Sequence, residues 1–273
     1  MSFTSPKKSK ARSKRFGVFG RLVQLIESKP ASDRVVLRIL FFIFLASTLT
    51  AGIIISRTHS VTVPVSGGTL IEGVIGIPRF VNPVLAVTRA DQDMTALIYR
   101  GLMKINPAGE LVPDLAESVT VSEDGKTYNI IVRNNIRFHD DTPLSARDVV
   151  FTIGLLQNAD LKSPFRGNWA GIVVEEINEY ELNIVLEEAY TPFIENFTIG
   201  ILPHHIWSEL PIEQIPFSQR NTDPVGTGPF KVKDIVRNES GLIDSYLLER
   251  FDGASTPANL AHIKVIFFQN EES

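Results

Sequence analysis

The sequence predicts a mixed α/β body preceded by one apolar helix, and three observations predict it. The first is an uncharged run, Ile39–Ser56 (ILFFIFLASTLTAGIIIS), 18 residues long; about 20 apolar residues cross the hydrocarbon core of a bilayer as a helix. The second is the stretch Leu115–Ile153, where β-type alternation, a tight turn, a polar loop and a capped helical segment follow in order. The third is a series of short β-prone runs beyond it, ending in the continuous apolar run His262–Phe268. Strands interleaved with helical patterns and loops of this length suit α/β layering.

Residues 1–34 are basic, with Ser, Pro and Gly, and read as a weakly structured cytoplasmic tail. Residues 35–56 read as the span, with Arg38 able to snorkel to the headgroups. A cleaved signal peptide would have a short leading region and a small-x-small site. Neither is seen, so an uncleaved anchor is the favoured reading. The positive tail then sets the N-terminus inside and the rest outside. Residues 57–68 are a polar linker.

Thr69–Val74 reads as a strand, and the prolines of Ile77–Pro83 break whatever follows it. Asp91–Leu102 is predicted helical, with acids in the first turn that favour the helix dipole. Glu123–Lys126 carries the Asp-Gly turn signal, and Tyr128, Ile130 and Val132 alternate with Asn129, Ile131 and Arg133. Ser145–Asp148 reads as a capping box before Val149, Val150, Ile153 and Leu156 at helical spacing. Ile172–Ile177 and Glu181–Leu186 form a predicted hairpin, and Lys231–Val236 and Leu242–Glu249 another, around Asn238–Gly241. Short helices are predicted to start at Thr191 and at Pro203. The apolar run His262–Phe268 suggests a strand buried on both faces.

The net charge of −4 conceals an asymmetry. Residues 1–57 hold eleven of the 27 Lys and Arg and two of the 31 Asp and Glu, leaving 16 basic and 29 acidic residues, a formal −13, in the remainder. That balance argues against a nucleic-acid surface, which needs a basic face. The chain has no cysteine, which excludes disulfides, thiol chemistry and a lipidated cysteine anchor.

The residues Leu115-Ala116-Glu117-Ser118, Asp124-Gly125, Arg133, Phe138-His139-Asp140 and Pro143–Phe151 resemble, in order, the recurrent pattern of the family 5 extracytoplasmic solute-binding proteins. These are the oligopeptide-, dipeptide- and nickel-binding components of ABC importers. Asp141 stands where that pattern has Gly, and Asn82 where it has Asp. The resemblance covers about residues 66–273. It implies a periplasmic-binding-protein-like type II lobe from 66–95 and 201–273, an inserted domain over 96–200, and a second lobe after Ser273. It also implies that peptides or similar small solutes are captured for ABC permease subunits, with no reaction catalysed and no cofactor. The competing reading is a sensory or scaffolding extracytoplasmic domain that reuses the fold, with an enzyme third.

Under this resemblance two segments border the ligand cleft. One is the turn with Ile77, Pro78, Arg79, Phe80 and Asn82, where Arg79 could meet a carboxylate bidentately. The other is the Gly-rich loop with Thr227, Gly228, Pro229 and Phe230, a backbone wall or merely a tight turn that needs Gly. That loop lacks the GK[ST] ending of a phosphate loop. His139-Asp140-Asp141 and His204-His205 lack a third ligand at zinc spacing, and His205 is expected beside Trp207. No G-x-S-x-G elbow is present. Glu175-Glu176 and Glu187-Glu188 read as solvated faces, and Trp169 and Tyr190 as core aromatics.

Overall fold

A computed structural model of the chain describes residues 30–59, 66–254 and 256–270. The basic cluster at 7–15 and residues 60–65 of the 57–68 linker lie outside the described residues. The chain divides into two compact units, Met1–Val63 and Pro64–Ser273.

In the first unit, α1 spans Ala31–His59. Its segment Ser32–Ile55 has a mean hydropathy of 2.2 over its most apolar window and is long enough to cross a membrane. At 1.5 Å per residue those 24 residues rise about 36 Å, against a hydrocarbon core of about 30 Å. The helix handles its own hydroxyls: Thr48 Oγ1 donates to the Phe44 carbonyl and Thr50 Oγ1 to that of Ala46, each at 2.7 Å. Such back-bonding pairs both threonine hydroxyls within the helix, on an otherwise apolar surface.

The described residues of the second unit form two four-stranded sheets and a two-stranded ribbon. The first sheet has the order β1-β10-β9-β8, from β1 (Thr69–Ile75), β8 (Phe230–Arg237), β9 (Ile243–Arg250) and β10 (His262–Phe268). β1 pairs with β10 in parallel, and the other pairings are antiparallel. The second sheet has the order β4-β5-β7-β6 and is fully antiparallel. Its strands are β4 (Ala116–Val121), β5 (Thr127–Val132), β6 (Val173–Asn178) and β7 (Glu181–Val185). The ribbon pairs β2 (Met103–Ile105) with β3 (Leu111–Pro113).

The Asp-Gly turn forms as predicted. Gly125 takes φ +70°, and the Asp124 carboxylate accepts from Lys126 N. β5 alternates as its sequence does, with Tyr128, Ile130 and Val132 buried. The capped helix is α3 (Ala146–Gln157), where Asp148 accepts from Ser145 N at 2.8 Å and from Ser145 Oγ at 3.1 Å. The other oxygen of Asp148 accepts from His204 N at 2.8 Å, so one buried carboxylate caps a helix and ties a distant segment to it. Trp169 packs edge-on against Phe193, and Tyr128 against Phe197. Such pairs contribute about 0.5–1.5 kcal/mol each beyond burial.

Three expectations need correction. The helix predicted over Asp91–Leu102 is α2, Arg89–Ile98; Thr88 caps it and Tyr99 is already extended. The shorter helix lets Gly101 lie against the backbone of Phe197 and Thr198, where a side chain would collide. β10 is not buried equally on both faces. Ile263, Val265 and Phe267 are in the core, while Ile266 and Phe268 are half-buried, because β1 beside them is an edge strand with Ile71 and Ile75 exposed. Tyr190 is 58% exposed, whereas Trp169 is buried.

Candidate functional site

The two segments singled out above meet one helix, at its two ends. Asp91, in the first turn of α2, is 1% exposed. Its Oδ1 accepts from Arg79 N at 2.7 Å and from Phe80 N at 2.8 Å; its Oδ2 accepts from Thr88 N at 3.2 Å. Thr88 Oγ1 in turn accepts from Asp91 N, which completes a capping box. The carboxylate thus receives three backbone N–H groups at a helix N-terminus, where negative charge is also favoured by the dipole. Ile98, in the last turn, offers its carbonyl to Gly228 N at 2.7 Å. From Asp91 to Ile98 the helix rises roughly 10 Å.

The turn leaves β1 through Gly76, at φ +103°, whose N–H donates to the Phe268 carbonyl. Pro78 is buried, and Ile77 and Phe80 are half-buried. Arg79 is exposed, with its guanidinium 5.4 Å from the centre of the Phe80 ring, a cation–π geometry. Among the described residues Arg79 forms no ion pair. Asn82 is 0% exposed. Its Nδ2 donates to Asn221 Oδ1 at 3.0 Å, and its Oδ1 accepts from Val84 N at 3.0 Å. Asn221 also accepts from Val81 N through its carbonyl and donates to the Ile215 carbonyl. Both ends of the Asn82 amide are therefore committed to holding the turn.

The Gly-rich loop is held by close approach. A Cβ on Gly226 would stand 2.1 Å from the Ile98 carbonyl oxygen, and one on Gly228 would stand 2.5 Å from the Leu97 carbonyl oxygen. Neither glycine has a positive φ, so both are needed for space and not for backbone freedom. Thr227 and Phe230 are buried, and Pro229 is half-buried. Among the described residues the buried Thr227 Oγ1 has no hydrogen-bond partner. From the opposite side His139 N donates to the Gly226 carbonyl at 2.9 Å. The His139 ring lies between Gly226 N, at 3.3 Å from Nδ1, and the Gly228 carbonyl, at 3.1 Å from Nε2. Burial pushes the His139 imidazole down to about 4, against a smaller upward pull from its bond to Gly228.

The other candidates resolve into structure. His204 and His205 sit on a short helix, His204–Trp207. His204 stacks edge-on with Phe151 and His205 with Phe138, and His205 Nε2 lies 2.7 Å from an Asp140 carboxylate oxygen. His205 is thus placed by Phe138 and Asp140, not by Trp207. Among the described residues no group of three His, Cys, Asp or Glu could hold a metal ion. Glu175, Glu176, Glu187 and Glu188 are exposed. Asp141 takes φ +68°, a region where Gly is free of strain and Asp is tolerated.

Sequence reasoning did not single out Asp91, Asn221 or the staple-like placement of His139. Asp91 had a usable signal, the Thr88-x-x-Asp91 spacing of a capping box. Asn221 and the His139 contacts are long-range and had none.

Residues 110–273 match the family described as bacterial extracellular solute-binding proteins, family 5 Middle. The oligopeptide-binding protein AppA of Bacillus subtilis is 32% identical over 184 residues, 66% of this chain and 34% of AppA. A di/tripeptide-binding protein of Pseudomonas aeruginosa is 28% identical over 57% of this chain and 33% of its own length. The chain therefore spans about a third of the length of these relatives. Among solved structures, AppA of Bacillus subtilis in complex with a nonapeptide superposes with a TM-score of 0.69 at 27% identity, covering 76% of this chain and 41% of AppA. NikZ of Campylobacter jejuni in complex with Ni(L-His) gives 0.65 at 27% identity, covering 73% and 39%.

Proposed function

Because the chain belongs to family 5 of the bacterial extracellular solute-binding proteins, we propose that it captures peptides or similar small solutes outside the cytoplasm for an ABC importer. In this reading residues 35–56 span the membrane once with the N-terminus inside, and the body meets ABC permease subunits on the outer face. Segments 66–95 and 201–273 form one lobe, 96–200 an inserted domain, and a second lobe lies outside these 273 residues. The solute is held between two lobes that close around it, which requires a ligand that prefers the closed state. No reaction is catalysed.

The observation that carries the site is Arg79. Its guanidinium is exposed and without an ion pair among the described residues, on a turn whose backbone is fixed by Asp91 and beside the half-buried Phe80 ring. A planar cation over an aromatic ring, with no ion-pair partner among the described residues, suits a carboxylate-bearing ligand such as a peptide. Ile77, Pro78 and Phe80 supply apolar contact around it. Gly228 and Pro229, with Thr227 and Phe230 behind them, supply a rigid wall. Asn82 sets the turn from below.

With one lobe of the pair, residues 58–273 should bind peptides weakly. Calorimetry that finds micromolar affinity for a tripeptide on this segment alone would overturn the two-lobe reading.

A further inference from the structure

We infer that His139 is the positioning residue of the Gly226–Phe230 wall, acting as a neutral imidazole staple with its proton on Nε2. This rests on the reading of that loop as a solute wall. Three bonds carry it. His139 N donates to the Gly226 carbonyl at 2.9 Å, Gly226 N donates to Nδ1 at 3.3 Å, and Nε2 faces the Gly228 carbonyl at 3.1 Å. A backbone N–H pointing at Nδ1 requires a lone pair there, and a carbonyl facing Nε2 requires a proton there. One tautomer satisfies both, and the imidazolium satisfies only one.

The staple opposes a fixed face. On the other side Gly228 N donates to Ile98 O and both glycines touch the end of α2. The loop is thereby clamped between the helix end and the ring. Phe251 closes the clamp, with its ring 4.9 Å from that of His139 and its N–H donating to the Pro229 carbonyl. Pro229, the part of the wall that keeps exposure, is thus fixed from both directions. The groups facing the ring are consistent with a neutral state. Lys231 on β8 disfavours a second positive charge, and Asp140 on the same loop favours it. Asp223 and Glu249 line the adjoining cavity of about 360 Å³, and Glu249 is already paired with Lys231 and Lys233.

The test compares the full chain in detergent micelles with His139→Gln and His139→Leu, without solute. Gln can accept from Gly226 N and donate to Gly228 O; Leu fills space but bonds to neither. Ring-¹⁵N histidine spectra should show the Nε2–H tautomer, neutral down to pH about 4. Hydrogen exchange across Gly226–Gly228 should quicken about tenfold or more in His139→Leu and return close to wild type in His139→Gln, with β5 and β7 unaffected. An Nδ1–H tautomer, titration near the ordinary histidine value, or unchanged loop exchange in His139→Leu would overturn the staple. The tautomer measurement on the unmodified chain stands even if His139→Leu does not fold. A solute titration that leaves the loop untouched would remove the wall and leave the staple intact.

Discussion

The turn at Ile77–Asn82 and the loop at Gly226–Phe230 are anchored to the same helix by opposite means. The turn hangs from a side chain: Asp91 gathers the N–H groups of Arg79, Phe80 and Thr88. The loop is fixed by the absence of side chains, because Gly226 and Gly228 let backbone meet backbone at Ile98. The difference teaches how each can fail. A hydrogen-bonded anchor loses affinity for its partner by degrees, as bonds are removed one at a time. A close-packed anchor has no intermediate state, because a single methyl group must displace a helix end.

Substitutions at the two anchors should separate accordingly. Gly228→Ala is expected to have the largest effect. Its Cβ would stand 2.5 Å from backbone atoms of Leu97 and Ile98, costing about 3 kcal/mol or more and lowering the melting temperature by roughly 10 °C. Calorimetric melting checks this, and an unchanged Tm would mean the loop yields easily. Asp91→Ala should cost about 2–3 kcal/mol by orphaning three N–H donors, with Asp91→Asn falling between it and wild type. Equilibrium urea unfolding reads that ranking.

His139 supplies the pH dependence of the loop anchor. Its folded-state value is depressed to about 4, while the unfolded chain takes up the proton near pH 6.5. Between those values the unfolded state binds more protons, so stability falls as pH drops through that window and levels off below it. The loss attributable to His139 is about 3 kcal/mol, measured as the wild-type unfolding curve minus that of His139→Gln. The smallest effect should come from Asp141→Gly. It relieves the left-handed φ of +68° and changes stability by less than about 1 kcal/mol, in the stabilising direction.

The same contrast explains what was legible in the sequence. Local signals read well. The Asp124-Gly125 turn, the Ser145–Asp148 cap and the alternation of Tyr128, Ile130 and Val132 each depend on neighbours within a few residues. The family pattern at Leu115–Phe151 rests on such local features, and the family match covers the same region. Long-range commitments did not read. Asn82 gave no sign that Asn221, 139 residues away, would take its amide. The glycines of the Gly-rich loop suggested turn freedom, and only the packed structure reveals that they serve close approach to α2. The helix end at Ile98 was missed for the same reason. Tyr99 and Leu102 continue the helical spacing in the sequence, but Gly101 lies against the Phe197–Thr198 backbone.

The central claim is that this chain offers a solute the Arg79–Phe80 turn and the Pro229 wall. The most direct measurement is a backbone amide titration of the full chain in micelles with a tripeptide at millimolar concentration. The account predicts shifts concentrated at Ile77–Phe80 and Thr227–Phe230, and their loss at the turn in Arg79→Ala, which leaves the Asp91 anchor in place. Shifts confined to other surfaces, or none at either segment, would contradict it.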